Sequence, residues 1–186
     1  MNKYFTADLH LGHGAIMNYC SRPFKSIERM NEVLINNINQ RAKATDLIIH
    51  VGDFACYGKE KGIPGFKVKG CSYLEAIDGT VILVEGNHDR NNRVKAHVKG
   101  LTVALPLLGN ATVSHYPSND IHCPFIFDKS KLNYHICGHV HGAWKHFYDK
   151  ENNVLNINVG VDVWNYQLVS TQELTSYIKK IKKEIN

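Results

Sequence analysis

Asp, His and Asn residues recur in five short motifs, and each motif comes at or just after the end of an apolar run. In chain order the motifs are Asp8-Leu9-His10, Gly52-Asp53, Gly86-Asn87-His88-Asp89, Ser114-His115 and Gly138-His139-Val140-His141. Carboxylate and amide oxygens combined with imidazole nitrogens suit manganese, iron, zinc or magnesium rather than copper or an iron–sulfur cluster. The residue types therefore predict a centre that binds divalent metal ions.

Each motif has an ordinary explanation when it is considered alone. Gly-Asp and Gly-Asn are frequent in turns, and a single histidine such as His115 more often belongs to the core or the surface. The five motifs together are informative, because open α/β sheets place their binding sites at the ends of strands. Residues two apart in a strand point to one face, so we expect Asp8 beside His10 and His139 beside His141.

Short apolar runs and helical segments alternate in the first half of the chain, and strands dominate the second half, which predicts an α/β fold with a second sheet. Apolar residues at four-residue spacing after a Ser26 cap predict a long helix, and a capping box from Ser170 to Glu173 opens the last helix. The predicted strands are Lys3 to Ala7, Leu47 to Val51, Val81 to Val84, Leu101 to Leu105, Ala111 to Ser114, Tyr134 to Cys137 and Val154 to Val159. The predicted helices are Ile27 to Ala42, Asn91 to Lys99 and a final helix that the capping box opens toward Ile185, and Gly58 to Gly70 is predicted as a loop.

The size and composition of the chain limit the classes of function. Its 186 residues, 44% of them hydrophobic, predict one domain over residues 1–186 with a substantial core. The formal charge of +5 is compatible with an anionic substrate but does not by itself indicate nucleic acid. Five cysteines without CxxC spacing, together with no signal peptide and no apolar run long enough for a membrane span, predict a reduced, cytoplasmic protein.

The order and identity of the five motifs resemble those of the calcineurin-like metallophosphoesterases. Additional segments are similar to a small, single-domain branch of that family found in bacteria and phages: Phe5 to His13, Tyr19 to Phe24, Ser114 to Pro117 and Asn158 to Asp162. The resemblance implies an α/β fold of two packed mixed β-sheets flanked by helices, in four layers of α/β/β/α. It also implies a hydrolase acting on phosphoric ester bonds.

The resemblance implies two divalent metal ions, with manganese favoured and iron, zinc, nickel or magnesium as alternatives. Asp8, His10 and His141 are expected to hold one ion, Asn87, His115 and His139 the other, and Asp53 to bridge them. Most of these ligands are neutral, so the loaded site would be positive and would attract a phosphate group. A hydroxide bridging the two ions is expected to attack phosphorus in line.

Residues around the metal ligands are expected to assist the reaction or bind the substrate. By resemblance, His88 is the acid that protonates the leaving group, and Asp89 orients the His88 ring and favours its charged form. Arg22 could form two hydrogen bonds with a phosphate or be a surface ion-pair residue. The other candidate substrate contacts are His13, Arg90 and Tyr116.

The remaining histidines and aromatic residues are assigned to structure or surface. Trp164 and Tyr166 could stack on a base, but buried aromatic residues are more common. Cys137 lies beside the last motif, Gly138-His139-Val140-His141, and a small buried strand residue is a better interpretation than a ligand. The histidines assigned to structure or surface are His50, His97, His122, His135 and His146.

Several functions share these motifs. The leading hypothesis is hydrolysis of a phosphomonoester or phosphodiester, and the alternatives are a nuclease or a cyclic-nucleotide phosphodiesterase. The last motif ends at His141, which leaves little room for the DNA-binding region that repair nucleases of the family usually carry. A non-catalytic scaffold is known in the same fold family in a retromer subunit, but that protein lacks the catalytic histidine that His88 provides here.

Overall fold

The structure is a computed structural model, and it describes residues 1–56, 71–92 and 94–185. The loop predicted from Gly58 to Gly70 lies outside the described residues. The described strands are β1 (Lys3–Thr6), β2 (Leu47–Val51), β3 (Thr80–Val84), β4 (Gly100–Leu105), β5 (Gly109–Ser114), β6 (Asn133–Cys137), β7 (His146–Asp149), β8 (Val154–Asn158) and β9 (Val169–Ser170). The described helices are α1 (Ala15–Tyr19), α2 (Ile27–Arg41), α3 (Cys71–Glu75) and α4 (Thr171–Ile185), with a 3₁₀ turn at Val161–Val163.

The described strands form two mixed sheets. The first sheet has the order β3-β2-β1-β9, in which β1, β2 and β3 are parallel and β9 is antiparallel to β1. The second has the order β4-β5-β6-β8-β7, in which β5, β6 and β8 are parallel and the two outer strands are antiparallel to their neighbours. Because parallel strands end at the same edge of a sheet, the segments that follow β1, β2 and β3 meet there, as do those that follow β5 and β6.

The two sheets pack face to face around an apolar core. Successive residues of a strand point to opposite faces, and the first sheet contributes Phe5, Ile49 and Val84 to this core. The second sheet contributes Val113, Ile136 and Leu155, and α4 adds Leu174, Ile178 and Ile181. These side chains are at most 5% exposed.

The other face of the first sheet packs against α2. Met30, Leu34 and Ile38 are buried there, in a cluster that also contains Tyr4 and Ile48 from the strands. The Ser26 hydroxyl accepts a hydrogen bond from the Arg29 amide at 3.2 Å, which confirms the predicted cap. Truncating a buried leucine such as Leu34 to alanine costs roughly 2–5 kcal/mol, so this face contributes substantially to stability.

The predicted capping box at the start of α4 is confirmed. The Glu173 amide donates to the Ser170 hydroxyl at 3.2 Å, and the Ser170 amide donates to the Glu173 carboxylate at 2.8 Å. Two amide groups that the helix leaves without partners are satisfied in this way.

The two sheets, their shared core and the helices on either side confirm the predicted architecture of two packed mixed sheets flanked by helices.

Residues 116, 118, 125 and 127 contact the outer face of the second sheet. His135 of β6 points to this face, and the rings of Phe125 and Phe127 lie 5.9 and 5.5 Å from its ring. Ser118 donates from its amide to the Asn156 side chain at 2.8 Å. Polar strand residues on this face are thus buried with hydrogen-bond partners.

The prediction of a helix from Asn91 to Lys99 is wrong. The chain turns after β3, with the Val94 amide bonded to Asp89 O at 3.0 Å, and then becomes extended. Val98 pairs with Val84, and the Glu85 amide donates to Val98 O at 2.8 Å. Pairing with the edge of the first sheet therefore overrides a local preference that the sequence alone indicates. In the described residues, no helix is both long and apolar enough to cross a membrane.

Candidate metal centre

All seven predicted metal ligands meet at the edge where the strands of both sheets end. Asp8, Asp53 and Asn87 follow β1, β2 and β3, whereas His115 follows β5 directly and His139 follows β6. Two groups have their potential ligand atoms within 4.8 Å of one another: Asp8 with His10 and His141, and Asp8 with Asp53 and His115.

Five of the predicted ligands have a left-handed backbone conformation. The φ angles are 58° for Asp8, 50° for His10, 58° for Asp53, 72° for His139 and 47° for His141. Such conformations are uncommon outside glycine and cost on the order of 1–3 kcal/mol each, and they cluster at functional sites. The expectation that residues two apart share the face of a strand is therefore corrected: these residues lie beyond the strand ends, and turns bring their side chains together.

Main-chain hydrogen bonds hold these turns in place. The Asp8 amide donates to Gly52 O and the His10 amide to Asp53 O, each at 3.0 Å, which ties the first motif to the second. The His139 amide donates to both carboxylate oxygens of Asp8 at 3.1 Å, which ties the last motif to the first. The left-handed residues are thus fixed by contacts between different motifs.

The glycines before Asp53 and Asn87 allow this close approach. Gly52 has a φ of +86°, and a Cβ atom there would collide with the ring of His115. A Cβ atom on Gly86 would collide with the Asp53 amide and carboxylate. Both motif glycines are therefore required by space, and Gly52 also by its conformation.

Asp53 occupies the middle of the cluster. Its Oδ2 atom lies 3.4 Å from His10 Nε2 and 3.5 Å from His115 Nε2. Its Oδ1 atom accepts a hydrogen bond from the His88 amide at 2.9 Å. Burial raises the pKa of the Asp53 carboxyl group. A buried carboxylate facing two imidazoles is well placed to bind a cation.

His115 presents one nitrogen to this cluster. Its Nδ1 lies 3.0 Å from Val51 O, and because a carbonyl only accepts hydrogen bonds, Nδ1 carries the proton. Nε2 then has a free lone pair, and it faces Asn87 Oδ1 at 2.9 Å. Burial lowers the pKa of His115 to about 4, so the imidazole is neutral at pH 7. Both atoms carry lone pairs that one cation could bind together.

The other predicted ligands have the same character. Asn87 Oδ1 also lies 3.0 Å from His139 Nδ1. Asp8 is fully buried, and burial raises its pKa to about 7. The buried Nε2 atom of His10 has no hydrogen-bond partner among the described residues. Buried carboxylates beside neutral imidazoles and an orphaned nitrogen fit divalent cations, which would satisfy all of these groups.

Asp162 was missed in the sequence, and it lies directly behind this cluster. Its Oδ2 lies 3.1 Å from His141 Nδ1, and its carboxylate also accepts two hydrogen bonds from Arg22. Cys20, His141 and Asp162 could by their spacing form a further metal site. However, burial raises the pKa of the Cys20 thiol to about 11, and the Asp162 carboxylate is already engaged, so this group supports the site rather than binding another ion.

The predictions for Arg22 are corrected. Its side chain is buried, and its guanidinium donates to Asp162 through Nε at 2.8 Å and Nη2 at 2.9 Å. It also donates to the main-chain oxygens of Asp8 at 2.6 Å and Leu9 at 2.9 Å. With its donors used in this way, Arg22 is neither a phosphate ligand nor a surface ion-pair residue.

The predicted contact between Asp89 and the His88 ring is also corrected. The buried Asp89 carboxylate accepts hydrogen bonds from the amides of Asp53 at 2.9 Å, Phe54 at 2.8 Å and Gly86 at 2.8 Å. These main-chain bonds join the second and third motifs. Asp89 therefore supports the turn that carries Asp53, and its hydrogen bonds among the described residues do not include the imidazole of His88.

A recess of about 540 Å³ opens beside the first ligand set. It is lined by His10, His88 and His141, with His13 and Tyr19 at its sides. The His88 side chain is 46% exposed, and its Nε2 lies 4.0 Å from Asp53 Oδ2. The ring of His13 lies 5.5 Å from that of His10. His13 and His88 are thus in the recess, as expected of groups that contact a substrate.

Tyr116 and Arg90 differ in their relation to the site. The Tyr116 ring packs 5.2 Å from that of His115 and 4.9 Å from that of His139, so it borders the second ligand set. Arg90 is exposed and lies outside the residues that line the described recesses. A second recess of about 470 Å³ lies on the other side of the last motif, where His139 and Trp144 line it.

Residues that were assigned to structure have structural contacts. Trp164 donates to Asn158 O at 2.7 Å, and the Tyr166 ring packs against Phe24. Cys137 is buried within β6. His50 and His135 are buried, His97 accepts from the Leu83 amide, His122 lies on the surface beside Tyr116, and His146 bonds with the Tyr177 hydroxyl.

Comparison with known proteins gives the family. The profile of the calcineurin-like phosphoesterase superfamily domain matches residues 1–177. The chain therefore belongs to the calcineurin-like phosphoesterase superfamily, whose members are generally phosphoesterase hydrolases that bind divalent metals. This confirms the resemblance found in the sequence.

The sequence similarity to two relatives extends over nearly the whole chain. An uncharacterized protein of Methanocaldococcus jannaschii is 31% identical over 180 residues, covering 96% of this chain and 92% of the relative. The gene 66 protein of Mycobacterium phage L5 is 24% identical, covering 98% of this chain and 97% of the relative. A crystal structure of a protein of unknown function from Aquifex aeolicus has the same fold, with a TM-score of 0.71, 24% identity, and coverage of 95% of this chain and 98% of that one.

Proposed function

We propose that this protein is a phosphoesterase in which two divalent cations share the Asp53 carboxylate, with manganese favoured and iron, zinc, nickel or magnesium as alternatives. One observation carries the proposal: Asp53 Oδ2 lies 3.4 Å from His10 and 3.5 Å from His115, one imidazole from each predicted ligand set. Two cations about 3.5–4 Å apart repel each other, and a shared carboxylate offsets that repulsion. Asp8, His10 and His141 would hold one ion, and Asn87, His115 and His139 the other.

When bound, the cations would polarise the phosphate and supply an activated water as nucleophile at neutral pH. The residues of the chain determine the charge of the site. Because His115 is neutral and Asn87 is an amide, the site with its two carboxylates would retain positive charge when loaded. A positive, preorganised site attracts a phosphate ester and stabilises the charge that develops in the transition state.

His88 is the proposed proton donor to the leaving group. Its side chain is half-exposed in the recess, so a substrate could reach it. Its amide donates to Asp53 Oδ1, which fixes the position of the residue relative to the central carboxylate. Asp89 would act on catalysis indirectly, by holding the main chain of the Asp53 turn. His13 and Tyr116 remain proposed substrate contacts.

The proposed substrate is a phosphomonoester or a phosphodiester. A nuclease or a cyclic-nucleotide phosphodiesterase is the alternative, and recesses on both sides of the last motif leave space for groups on either side of a phosphate. We also propose that residues 1–186 form one domain and that the protein is cytoplasmic. The thiols of Cys20, Cys123 and Cys137 are free, which supports a reducing compartment.

The test is turnover of a chromogenic phosphodiester and of the matching monoester by manganese-loaded protein. We expect metal-dependent turnover that chelation removes and manganese restores. The matched control is Asp149→Asn, which alters a buried carboxylate outside the centre and should retain activity. Metal binding without turnover of any phosphate ester would contradict the proposal and favour the scaffold.

A further inference from the structure

Arg22 and Asp162 form a buried ion pair that lies behind the first ligand set, although 140 residues separate them in the chain. Two parallel hydrogen bonds join them, at 2.8 and 2.9 Å, and the two side chains are 0% and 4% exposed. A bidentate pair of this kind fixes both orientation and distance. The pair therefore provides a rigid support rather than a flexible surface contact.

Asp162 fixes the orientation and the tautomer of the His141 ring. Its Oδ2 atom lies 3.1 Å from His141 Nδ1, and because an ionised carboxylate only accepts hydrogen bonds, Nδ1 carries the proton. The lone pair of the neutral ring is then on Nε2. Asp162 itself is held on the 3₁₀ turn, whose Val161 amide donates to Ala7 O at 3.1 Å, next to Asp8.

Arg22 fixes the other two ligands of the same set. Its guanidinium donates to the main-chain oxygen of Asp8 at 2.6 Å and to that of Leu9 at 2.9 Å. Asp8 and His10 on this turn have φ angles of 58° and 50°. These donors support a turn whose backbone conformation is otherwise unfavourable. Together, Arg22 and Asp162 therefore contact the segments of all three residues in the first set.

We propose that Asp162 is a positioning residue of the first metal site, acting through the Nδ1–H of His141 and, with Arg22, through the Asp8–His10 turn. The inference rests on the metal centre proposed above. The second set is supported differently, because His115 donates to the main-chain oxygen of Val51. Substitution of Asp162 should therefore weaken one ion selectively. Loss of such a supporting carboxylate typically costs 10–100-fold in metal affinity.

The first test is calorimetric titration of the apoprotein with Mn²⁺. Asp162→Asn leaves one acceptor oxygen where the carboxylate has two, so the bonds from Arg22 Nε, Arg22 Nη2 and His141 Nδ1 cannot all be kept, and we expect one site to weaken by about 10–100-fold. The other site should change less than about threefold. Arg22→Lys keeps the charge but loses the paired hydrogen bonds, and it should weaken the same site to a smaller extent.

The matched control is Asp149→Asn. Asp149 is also a buried carboxylate, and it accepts from Ser118 at 2.8 Å and Asn152 at 2.7 Å, away from the ligands. This variant should bind Mn²⁺ as the wild type does. Wild-type binding to both sites by Asp162→Asn, or equal weakening of both, would overturn the inference. Absence of metal binding by the wild type would instead overturn the proposed function.

The second test does not depend on the folding of Asp162→Asn. A long-range ¹H–¹⁵N spectrum of zinc-loaded wild-type protein reports which nitrogen of each histidine carries the proton. We expect His141, assigned by the signal lost in His141→Asn, to be protonated at Nδ1. Protonation at Nε2 with Nδ1 bound to zinc would overturn the inference, even if Asp162→Asn does not fold.

Discussion

The two ligand sets are supported by the fold in different ways. The first set, Asp8, His10 and His141, is supported by charged side chains, because Arg22 and Asp162 bond to it from behind. In the second set, Asn87, His115 and His139, the support comes from the main chain and from Asp53. His115 donates to the main-chain oxygen of Val51, and its other nitrogen faces the Asp53 carboxylate. In the second set His115 is buried, but Asn87 is exposed and His139 is half-exposed.

This difference shows how burial determines the support a polar site requires. A deeply buried carboxylate such as Asp8 needs hydrogen bonds, and the His139 amide donates to both of its oxygens, while Arg22 donates to the main-chain oxygen of the same residue. A more exposed amide such as Asn87 needs fewer. Asp53 connects the two regions, so substitutions there should affect both, and substitutions elsewhere should separate them.

Substitution of the shared carboxylate should have the largest effect. In Asp53→Asn we expect turnover to fall by at least about 10³-fold, because both ligand sets lose their common charged group. Metal content, measured by mass spectrometry of the dialysed protein, should fall for both ions. If this variant kept two tightly bound ions and most of its activity, Asp53 would not connect the two sets.

Substitution of His88 should remove chemistry without removing metal. We expect His88→Ala to reduce turnover of esters with poor leaving groups by about 10²-fold or more, since a general acid contributes on this scale. Esters with good leaving groups should be affected much less. The exposed His97, which accepts a hydrogen bond from the Leu83 amide, provides a control, His97→Ala, which should leave both rates unchanged. An equal loss for all leaving groups would argue against proton donation.

A methyl group on Gly86 should force the turn that carries Asn87 away from the turn that carries Asp53. Because a Cβ atom there would collide with Asp53, Gly86→Ala should destabilise the protein by about 2–3 kcal/mol, in the range of overpacked sites. Gly142→Ala is the control, since a Cβ atom at Gly142 meets nothing within 4 Å. Thermal unfolding of the apoproteins would measure both. Similar melting temperatures for the two variants would show that the close approach at Gly86 is unimportant.

Acid should weaken the outer face of the second sheet, beside the second ligand set. Burial lowers the pKa of His135 to about 4, below the ordinary value of 6.5. As the pH falls, His135 is protonated in the unfolded chain before it is protonated in the folded protein. The free energy of unfolding therefore decreases as the pH falls from 6.5 toward 4. Between pH 7 and 5 this residue should account for a loss of up to about 2 kcal/mol.

The variant His135→Gln tests the assignment of that loss. The ring lies 2.7 Å from the Thr112 hydroxyl and 2.9 Å from Tyr116 O, contacts that a neutral glutamine side chain can partly replace. We expect the variant to be less stable at pH 7 but to lose less stability on acidification. Urea unfolding of the apoprotein at a series of pH values provides the measurement, and parallel pH profiles would assign the effect to other groups.

The sequence predicted which residues lie together at the candidate metal centre better than it predicted their surroundings. The motifs follow apolar runs that form strands, and a strand such as Leu47–Val51 is evident from local composition alone. The left-handed conformation of Asp8 and Asp53 was not predictable, because local preferences oppose it and contacts between motifs impose it. The turn before Val98 is similar, since pairing with Val84 determines it.

The roles of Arg22 and Asp89 were mistaken for the same reason. Both residues adjoin motifs and carry charges suited to a substrate or a catalytic histidine, but both bond to the main chain of other motifs. The Arg22–Asp162 pair joins residues that are far apart in the chain, and no local pattern indicates it. The sequence did contain one indication of Asp162, because the segment from Asn158 to Asp162 resembles the same segment of the family branch. The resemblance did not assign a role to that segment.

Electron paramagnetic resonance of the fully manganese-loaded protein tests the central claim most directly. If Asp53 is shared by two ions, the wild type should give the broad multiline signal of an exchange-coupled manganese pair, and Asp53→Asn should lose that coupling. A spectrum that contained only isolated Mn²⁺ at every metal loading would contradict the account, because ions that share a carboxylate must interact magnetically.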